Sequence, residues 1–196
     1  VFADVALERI FNLYSFKSID KALITEISYG AIRQRYFLDC WIDFLGKVSA
    51  EKQPPLLRWL LHVGLYQILK MERIPPAAAI NTTVELAKTH HLAKLAPVVN
   101  GILRSALRRK ENGFQLPKSK NASFELAKNE SLPVWLADKL INWKGIEDAY
   151  KVAKAFNTIS PIDIRVNKTR ADLEEVIEIF DACGIKSQVI PSCPYG

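Results

Sequence analysis

The stretch PPLLRWLLHVGLYQILKMERIPPAAAINTTVELAK, residues 54–88, decides how this chain folds. It holds two proline pairs, at 54–55 and 75–76, and proline fits the first turn of a helix because that turn does not use the missing N–H. Residues 56–69 are apolar on nearly every face, which is typical of a helix surrounded by others. The stretch therefore predicts a central buried helix that ends near the second pair, and a further helix over residues 77–90.

Helical spacing of apolar residues continues on both sides of this stretch. Apolar side chains recur every three or four residues over 3–16, 37–45 and 97–110, which indicates helices with one buried face. Another helix, capped by Ser18 or Asp20, is expected between the first two of these segments. The first 110 residues are therefore predicted to form an all-helical domain.

The pattern changes after this domain. Residues 112–123 are rich in loop-forming residues and place a boundary near residue 120. After two short helical patterns, residues 162–166 and 186–190 read as strands on either side of a helix over 169–183. Two strands are rarely stable alone, so this α/β segment is predicted to belong to a larger sheet that the chain lacks.

Positive charge is concentrated in the helical domain. Residues 1–120 hold 18 lysines and arginines against 10 acidic residues, whereas residues 121–196 hold 9 against 11. A basic domain joined to a near-neutral one indicates a polyanion as partner. A charged face that only keeps the domain in solution is the alternative.

Several other kinds of site lack a pattern in this sequence. The longest apolar stretch, residues 56–69, is interrupted by polar side chains and is shorter than the roughly 20 residues that a membrane span needs. The cysteines Cys40, Cys183 and Cys193 are too far apart for a zinc site, and their odd number argues for a reducing compartment. The sequence therefore predicts no membrane partner, no metal and a cytoplasmic location.

The helix over residues 97–110 carries the first candidate site. At about 100° per residue, its apolar side chains lie on one arc, and Arg104, Arg108 and Arg109 lie on the opposite arc, with Lys110 nearby. This density of outward-facing cations suits contact with RNA phosphates, and a solvated face is the alternative.

A second candidate site lies at the end of an earlier helix. Arg33 and Arg35 are interleaved with the aromatic Tyr36 and Phe37, a pattern that suits phosphate contact and base stacking. Favourable charge at a helix C-terminus is the alternative. Together with two isolated cations, the predicted RNA-binding residues are Arg33, Arg35, Arg73, Lys88, Arg104, Arg108, Arg109 and Lys110. No catalytic, cofactor-binding or metal-ligating residue is predicted.

Several segments resemble the Sun/Fmu family of bacterial small-subunit ribosomal RNA cytosine-C5 methyltransferases. The first three are LITEISYGAIRQRYFLDCWI (23–42), LHVGLYQILKMERIPPAAAINTTVELAK (61–88) and VVNGILRSALRR (98–109), which are also the backbone of the NusB-like fold, an all-helical RNA-binding domain. The later ones are LPVWLADKLINWKG (132–145), FNTISPIDIRVNKTR (156–170) and DACGI (181–185). Stand-alone NusB proteins lack the later segments, whereas the methyltransferases carry them before the catalytic domain.

The resemblance implies a mainly α chain. A NusB-like RNA-binding bundle over residues 1–120 would be followed by linker helices and an incomplete, RNA-recognition-like α/β domain over residues 121–196. The sequence departs from the family at Gln34 and Ser105, where further arginines are common, and these departures put an identical set of RNA contacts in doubt.

The resemblance also implies a function for the intact protein. It would methylate cytosine in small-subunit ribosomal RNA with S-adenosylmethionine as donor, and this part would position the RNA for the protein's own methyltransferase domain. No glycine-rich turn for that cofactor is present, so we expect the chain to lack the catalytic domain and to be inactive alone. The alternatives are an antitermination factor of NusB type and a helical adaptor with an incidental basic face.

Overall fold

A computed structural model of the chain describes residues 2–158 and 162–193. It divides into two compact units, Val1–Asn157 and Thr158–Gly196. The helices of the described residues are α1 (Ala3–Leu13), α2 (Ser18–Arg33), α3 (Arg35–Leu45), α4 (Pro55–Lys70), α5 (Pro76–Thr89), α6 (Ala96–Glu111), α7 (Ala122–Glu130), α8 (Val134–Lys144), α9 (Ile146–Phe156) and α10 (Leu173–Ala182). Short 3₁₀ turns cover Ala50–Lys52 and Ala93–Leu95. The prediction of a mainly α fold is confirmed.

Helix α4 is the centre of the first unit, as the opening stretch predicts. It packs against α2, α3, α5 and α6. Its buried side chains include Leu57, Leu61, Leu65 and Ile68, each at most 1% exposed. The two proline pairs begin α4 and α5, with the second proline of each pair in the first turn. Because proline fits only that end of a helix, the pairs fix where both helices start.

Two glycines allow the neighbouring helices to approach α4 closely. A Cβ atom on Gly30 of α2 would lie 1.9 Å from the Cζ atom of Tyr66. A Cβ atom on Gly64 would lie 2.9 Å from both Cδ atoms of Leu103 in α6. Interiors this dense leave no room for an added methyl group without displacement of a neighbour. These glycines therefore set the distances between the helices around α4.

Helices α7, α8 and α9 form a second hydrophobic cluster in the same unit. Its buried members include Leu126, Ala137 and Leu140. The cluster joins the bundle through α3, where the backbone N–H groups of Tyr36 and Phe37 donate to Oγ of Ser131 at 3.1 and 3.2 Å. The sequence patterns indicated α8 and α9 but not α7.

The second unit contains α10, within the predicted helix over 169–183. The residues predicted as strands, 162–166 and 186–190, do not form strands in the described part of this unit. A strand is stable only when a partner pairs its N–H and C=O groups. The apolar side chains expected to cover a core are exposed instead, Ile162 by 88% and Val189 by 50%. The apolar residues of 162–166 do alternate with polar ones, but the prediction that both segments form strands is wrong for the described residues.

Candidate nucleic-acid interface

Helices α5 and α6 pack side by side and leave an open groove of about 480 Å³ between them. Asn81 of α5 and Arg104 and Arg108 of α6 line this groove, with Glu111 at its end. Nε of Arg104 donates to Oδ1 of Asn100 at 2.9 Å, which holds the exposed guanidinium in one orientation. The two arginines lie one helical turn apart and form no ion pair among the described residues.

A second groove, of about 490 Å³, continues along the same two helices. It shares Asn81 with the first groove and adds Lys88 and Asn100. Nζ of Lys88 lies 2.5 Å from Oε1 of Glu85, and both side chains are more than half exposed. Such an exposed pair is held weakly and exchanges readily with another anion. We define the α5/α6 strip as Asn81, Lys88, Asn100, Arg104 and Arg108.

Arg109 and Lys110 do not belong to this strip, which corrects the prediction that three arginines share one outward arc. The guanidinium of Arg109 lies 5.2 and 5.5 Å from the ring centres of Phe44 and Phe114, which stack 5.0 Å apart. Nζ of Lys110 donates to the carbonyl of Ile68 at 2.7 Å, near the end of α4. Both cations therefore already have structural contacts, one with aromatic rings and one with a helix-end carbonyl.

Arg33 and Arg35 lie where α2 meets α3, beside a separate cleft of about 630 Å³. The guanidinium of Arg35 lies 5.4 Å from the ring centre of Trp59 and 4.0 Å from Oδ2 of Asp39. The cleft is lined by three arginines and three acidic residues, Arg33, Arg35, Arg58, Asp39, Asp43 and Glu51. Its charges cancel, so it offers a polyanion less than the two unpaired arginines of the strip do.

The buried network around Asp39 had no signal in the sequence. Arg58 donates to both carboxylate oxygens of Asp39, at 2.8 and 2.6 Å, and Nε2 of His62 donates to Oδ1 at 2.7 Å. Burial alone would raise the pKa of Asp39, but the hydrogen bonds from His62 and Arg58 and the electrostatic attraction of these two side chains lower it to about 2. Asp39 lies in α3, whereas Arg58 and His62 lie one turn apart in α4. These side chains meet only when the two helices pack.

The remaining predicted residue, Arg73, is exposed between α4 and α5 and forms no ion pair in the described part of the chain. The structure therefore groups Lys88, Arg104 and Arg108 on one surface. It places Arg33 with Arg35 in a second region.

Residues 2–108, which contain α1–α5 and most of α6, match the NusB family. The chain belongs to the NusB family. Residues 132–196 match the ferredoxin-like domain described as Methyltr_RsmF/B-like. The combination confirms the resemblance seen in the sequence, because both parts occur here in the order that the quoted segments indicated.

Relatives of this NusB-family chain carry methyltransferase names. It is 32% identical over 195 residues to a probable ribosomal RNA small subunit methyltransferase B of Synechocystis sp., covering 100% of this chain and 43% of the relative. It is 30% identical over 186 residues to the protein of that name in Bacillus subtilis, covering 94% and 41%. The chain thus spans about two fifths of the length of these relatives.

A solved structure shares the fold. The crystal structure of PH0851 superposes with a TM-score of 0.65 at 19% sequence identity, covering 96% of this chain and 42% of that one. At this identity the likeness concerns the fold alone.

The described residues contain isolated glycines with positive φ but no glycine-rich turn. The glycines with positive φ, namely Gly113, Gly145 and Gly184, stand singly, and a Cβ on any of them would meet no atom within 4 Å. None of the grooves described above is lined by a glycine-rich turn of the kind that cradles a nucleotide. Over residues 2–158 and 162–193 the structure also shows no cluster suited to a metal ion and no helix able to cross a membrane.

Proposed function

We propose that this chain binds small-subunit ribosomal RNA through the α5/α6 strip. The observation that carries the proposal is the pair Arg104 and Arg108, exposed one turn apart and free of ion pairs in the described residues. The hydrogen bond from Arg104 to Asn100 lowers the entropy lost when the guanidinium meets a phosphate. Lys88 adds a third cation to the same surface.

The intact protein, we propose, is a cytosine-C5 methyltransferase that uses S-adenosylmethionine, in the cytoplasm. The names of the relatives and the match of residues 132–196 support this over an antitermination factor of NusB type. In this scheme residues 1–120 hold the RNA and residues 121–196 lead to the protein's methyltransferase domain. The buried members of the second hydrophobic cluster all follow residue 120, which supports that division, although both clusters lie in one compact unit.

Charge reversal in the strip tests the RNA site. The double variant Arg104→Glu/Arg108→Glu is expected to bind a hairpin of small-subunit ribosomal RNA at least about tenfold more weakly, because each cation that neutralises a phosphate releases counterions. The plot of log affinity against log salt concentration should become shallower by about two. Fluorescence anisotropy with labelled hairpin, repeated over a range of salt concentrations, measures both quantities.

The matched control is Arg9→Glu/Lys17→Glu, which changes the net charge equally at exposed positions outside the strip. It should lower the affinity much less and leave the salt dependence nearly unchanged. Equal losses in the two double variants would show a general charge effect and contradict the assignment to the strip. Affinity that does not depend on salt would contradict phosphate binding altogether.

A further inference from the structure

Helix α8 carries two tryptophans on the surface of the first unit. The side chains of Trp135 and Trp143 are 63% and 72% exposed. Each has a cation next to its ring, with Nζ of Lys139 5.8 Å from the centre of Trp135 and Nζ of Lys144 4.0 Å from the centre of Trp143. Tryptophan is enriched at interfaces, so two exposed tryptophans on one helix are candidates for binding groups.

The two rings are not required for packing. Trp135, Lys139 and Trp143 fall within about 80° of one another around α8, at about 100° per residue. The buried face of the helix instead presents Ala137 and Leu140 to the cluster of α7, α8 and α9. Eight residues separate the tryptophans, so their positions differ by about 12 Å along the helix axis.

Helix α8 carries two lysines, Lys139 and Lys144, and one carboxylate, Asp138. Nδ2 of Asn142 donates to Oδ2 of Asp138 at 3.2 Å. Oγ of Ser123 donates to the other oxygen of the same carboxylate at 3.0 Å, so Asp138 is held toward α7. On α9, Asp148 is paired with Lys151. The face itself therefore presents two lysines with the indoles.

We propose that this face of α8 binds unpaired RNA by stacking bases on Trp135 and Trp143. This proposal rests on the proposed function. It adds that the chain holds an unpaired strand of RNA at α8 as well as a structured RNA at the α5/α6 strip. Aromatic rings interleaved with cations are the composition of surfaces that bind single strands. The lysine beside each ring can pair with the phosphate of the stacked nucleotide.

The geometry favours RNA over a protein partner and a single strand over a duplex. Lysine is depleted in the buried centres of protein interfaces, so burial of both rings under another protein would also desolvate two ammonium groups. Successive bases in a stacked strand rise only about 3.4 Å, much less than the separation of the rings. Bases within a duplex are paired and stacked on one another, so a single strand is the form of RNA that can turn its base faces toward two separated indoles.

The test uses the whole chain with a fluorescein-labelled single-stranded oligoadenylate and a duplex RNA of equal length. Trp135→Leu and Trp143→Leu are each expected to weaken binding of the single strand about tenfold, since the loss of one base–aromatic stack has that size. Trp143→Phe should retain most of the affinity because it keeps an aromatic face. Ile146→Ala, which removes an exposed aliphatic side chain nearby, is the matched control and should bind as the original chain does.

A second measurement keeps the test independent of folding. Oligoadenylate should quench the tryptophan fluorescence of the chain, and Trp135→Phe/Trp143→Phe should lose most of that quenching while its circular dichroism stays unchanged. Leucine variants that bind the single strand normally would overturn the inference, as would binding that phenylalanine does not preserve. If the tryptophan variants bind the single strand normally but Arg104→Glu/Arg108→Glu still weakens binding of the hairpin, this inference fails and the proposed function stands. If neither set of variants changes any RNA affinity, both proposals fail.

Discussion

Asp39→Ala is expected to lower the free energy of unfolding by about 3 kcal/mol, because it leaves the buried His62 and the partly buried Arg58 without their shared partner. The carboxylate accepts two hydrogen bonds from Arg58 and one from His62. His62 is 0% exposed, so its Nε2 donor would lose its partner without gaining water. Urea unfolding monitored by circular dichroism gives the free energy directly.

Two further variants separate the network from a generic loss of charge. Asp39→Asn keeps an oxygen that accepts one hydrogen bond, so it should lose less stability than Asp39→Ala. Asp148→Ala removes a carboxylate from an exposed pair with Lys151, in which both side chains are more than half exposed, and should have little effect. If the alanine variants at 39 and 148 unfold alike, the network does not stabilise the bundle as described.

The lowered pKa of the Asp39 carboxyl predicts how the free energy of unfolding depends on pH. The pKa of Asp39 is about 2 in the folded chain, below its ordinary value of 3.8. A lowered folded-state pKa stabilises the fold above the unfolded value, and this contribution of about 2 kcal/mol is lost as the pH falls from about 4 to about 2. The difference in stability between the original chain and Asp39→Asn should therefore shrink over that range. A difference that stays constant from pH 6 to about pH 2 would contradict the depressed pKa.

Gly30→Ala is expected to lower the free energy of unfolding by about 2–3 kcal/mol, the cost of an added methyl group in a filled interior. The new Cβ would lie 1.9 Å from Cζ and 2.2 Å from the hydroxyl oxygen of Tyr66. Tyr66 is 8% exposed, and its hydroxyl donates to Oε1 of Glu26 at 2.7 Å. Displacement of the ring would break that hydrogen bond and separate α2 from α4. Thermal unfolding of the variant measures the loss.

The chain provides a matched control for this substitution. Gly101 lies inside α6, and a Cβ added there would meet no atom within 4 Å. Gly101→Ala should therefore raise stability by about 0.5–1 kcal/mol, because alanine favours the helix over glycine. The same chemical change is thus expected to have opposite signs in α2 and α6. A stabilising effect at both positions would show that Tyr66 moves aside without cost.

The sequence predicted the helices better than the strands for a physical reason. A helix satisfies its own backbone hydrogen bonds, so local spacing and the proline pairs were sufficient to place α4 and α5. The segments at 162–166 and 186–190 depend on partners elsewhere, and their apolar alternation does not specify them. Helix α10 between them was found because its spacing, like that of α4, is local.

The candidate site shows the same division between local and distant information. The positions of Arg104 and Arg108 on one arc followed from the period of α6, and the structure places both beside one groove. The same helical period did not reveal that Arg109 meets Phe44 and Phe114, because those rings come from other segments. Only the tertiary structure shows that the two indoles of α8 are exposed, and that exposure is the observation behind the proposed binding face.

The sequence by itself determined the helical class, the central position of α4, the basic character of the first domain and the family resemblance. Each of these depends on composition or on neighbours a few residues apart. Only the tertiary structure decided which cations remain available for a ligand. Arg58 contacts Asp39, and Lys110 contacts the carbonyl of Ile68. Arg104 and Arg108 form no ion pair among the described residues. The physical reason is that a charge is neutralised by whatever lies within a few ångströms, and those neighbours are separated along the chain by 19 residues in one case and 42 in the other.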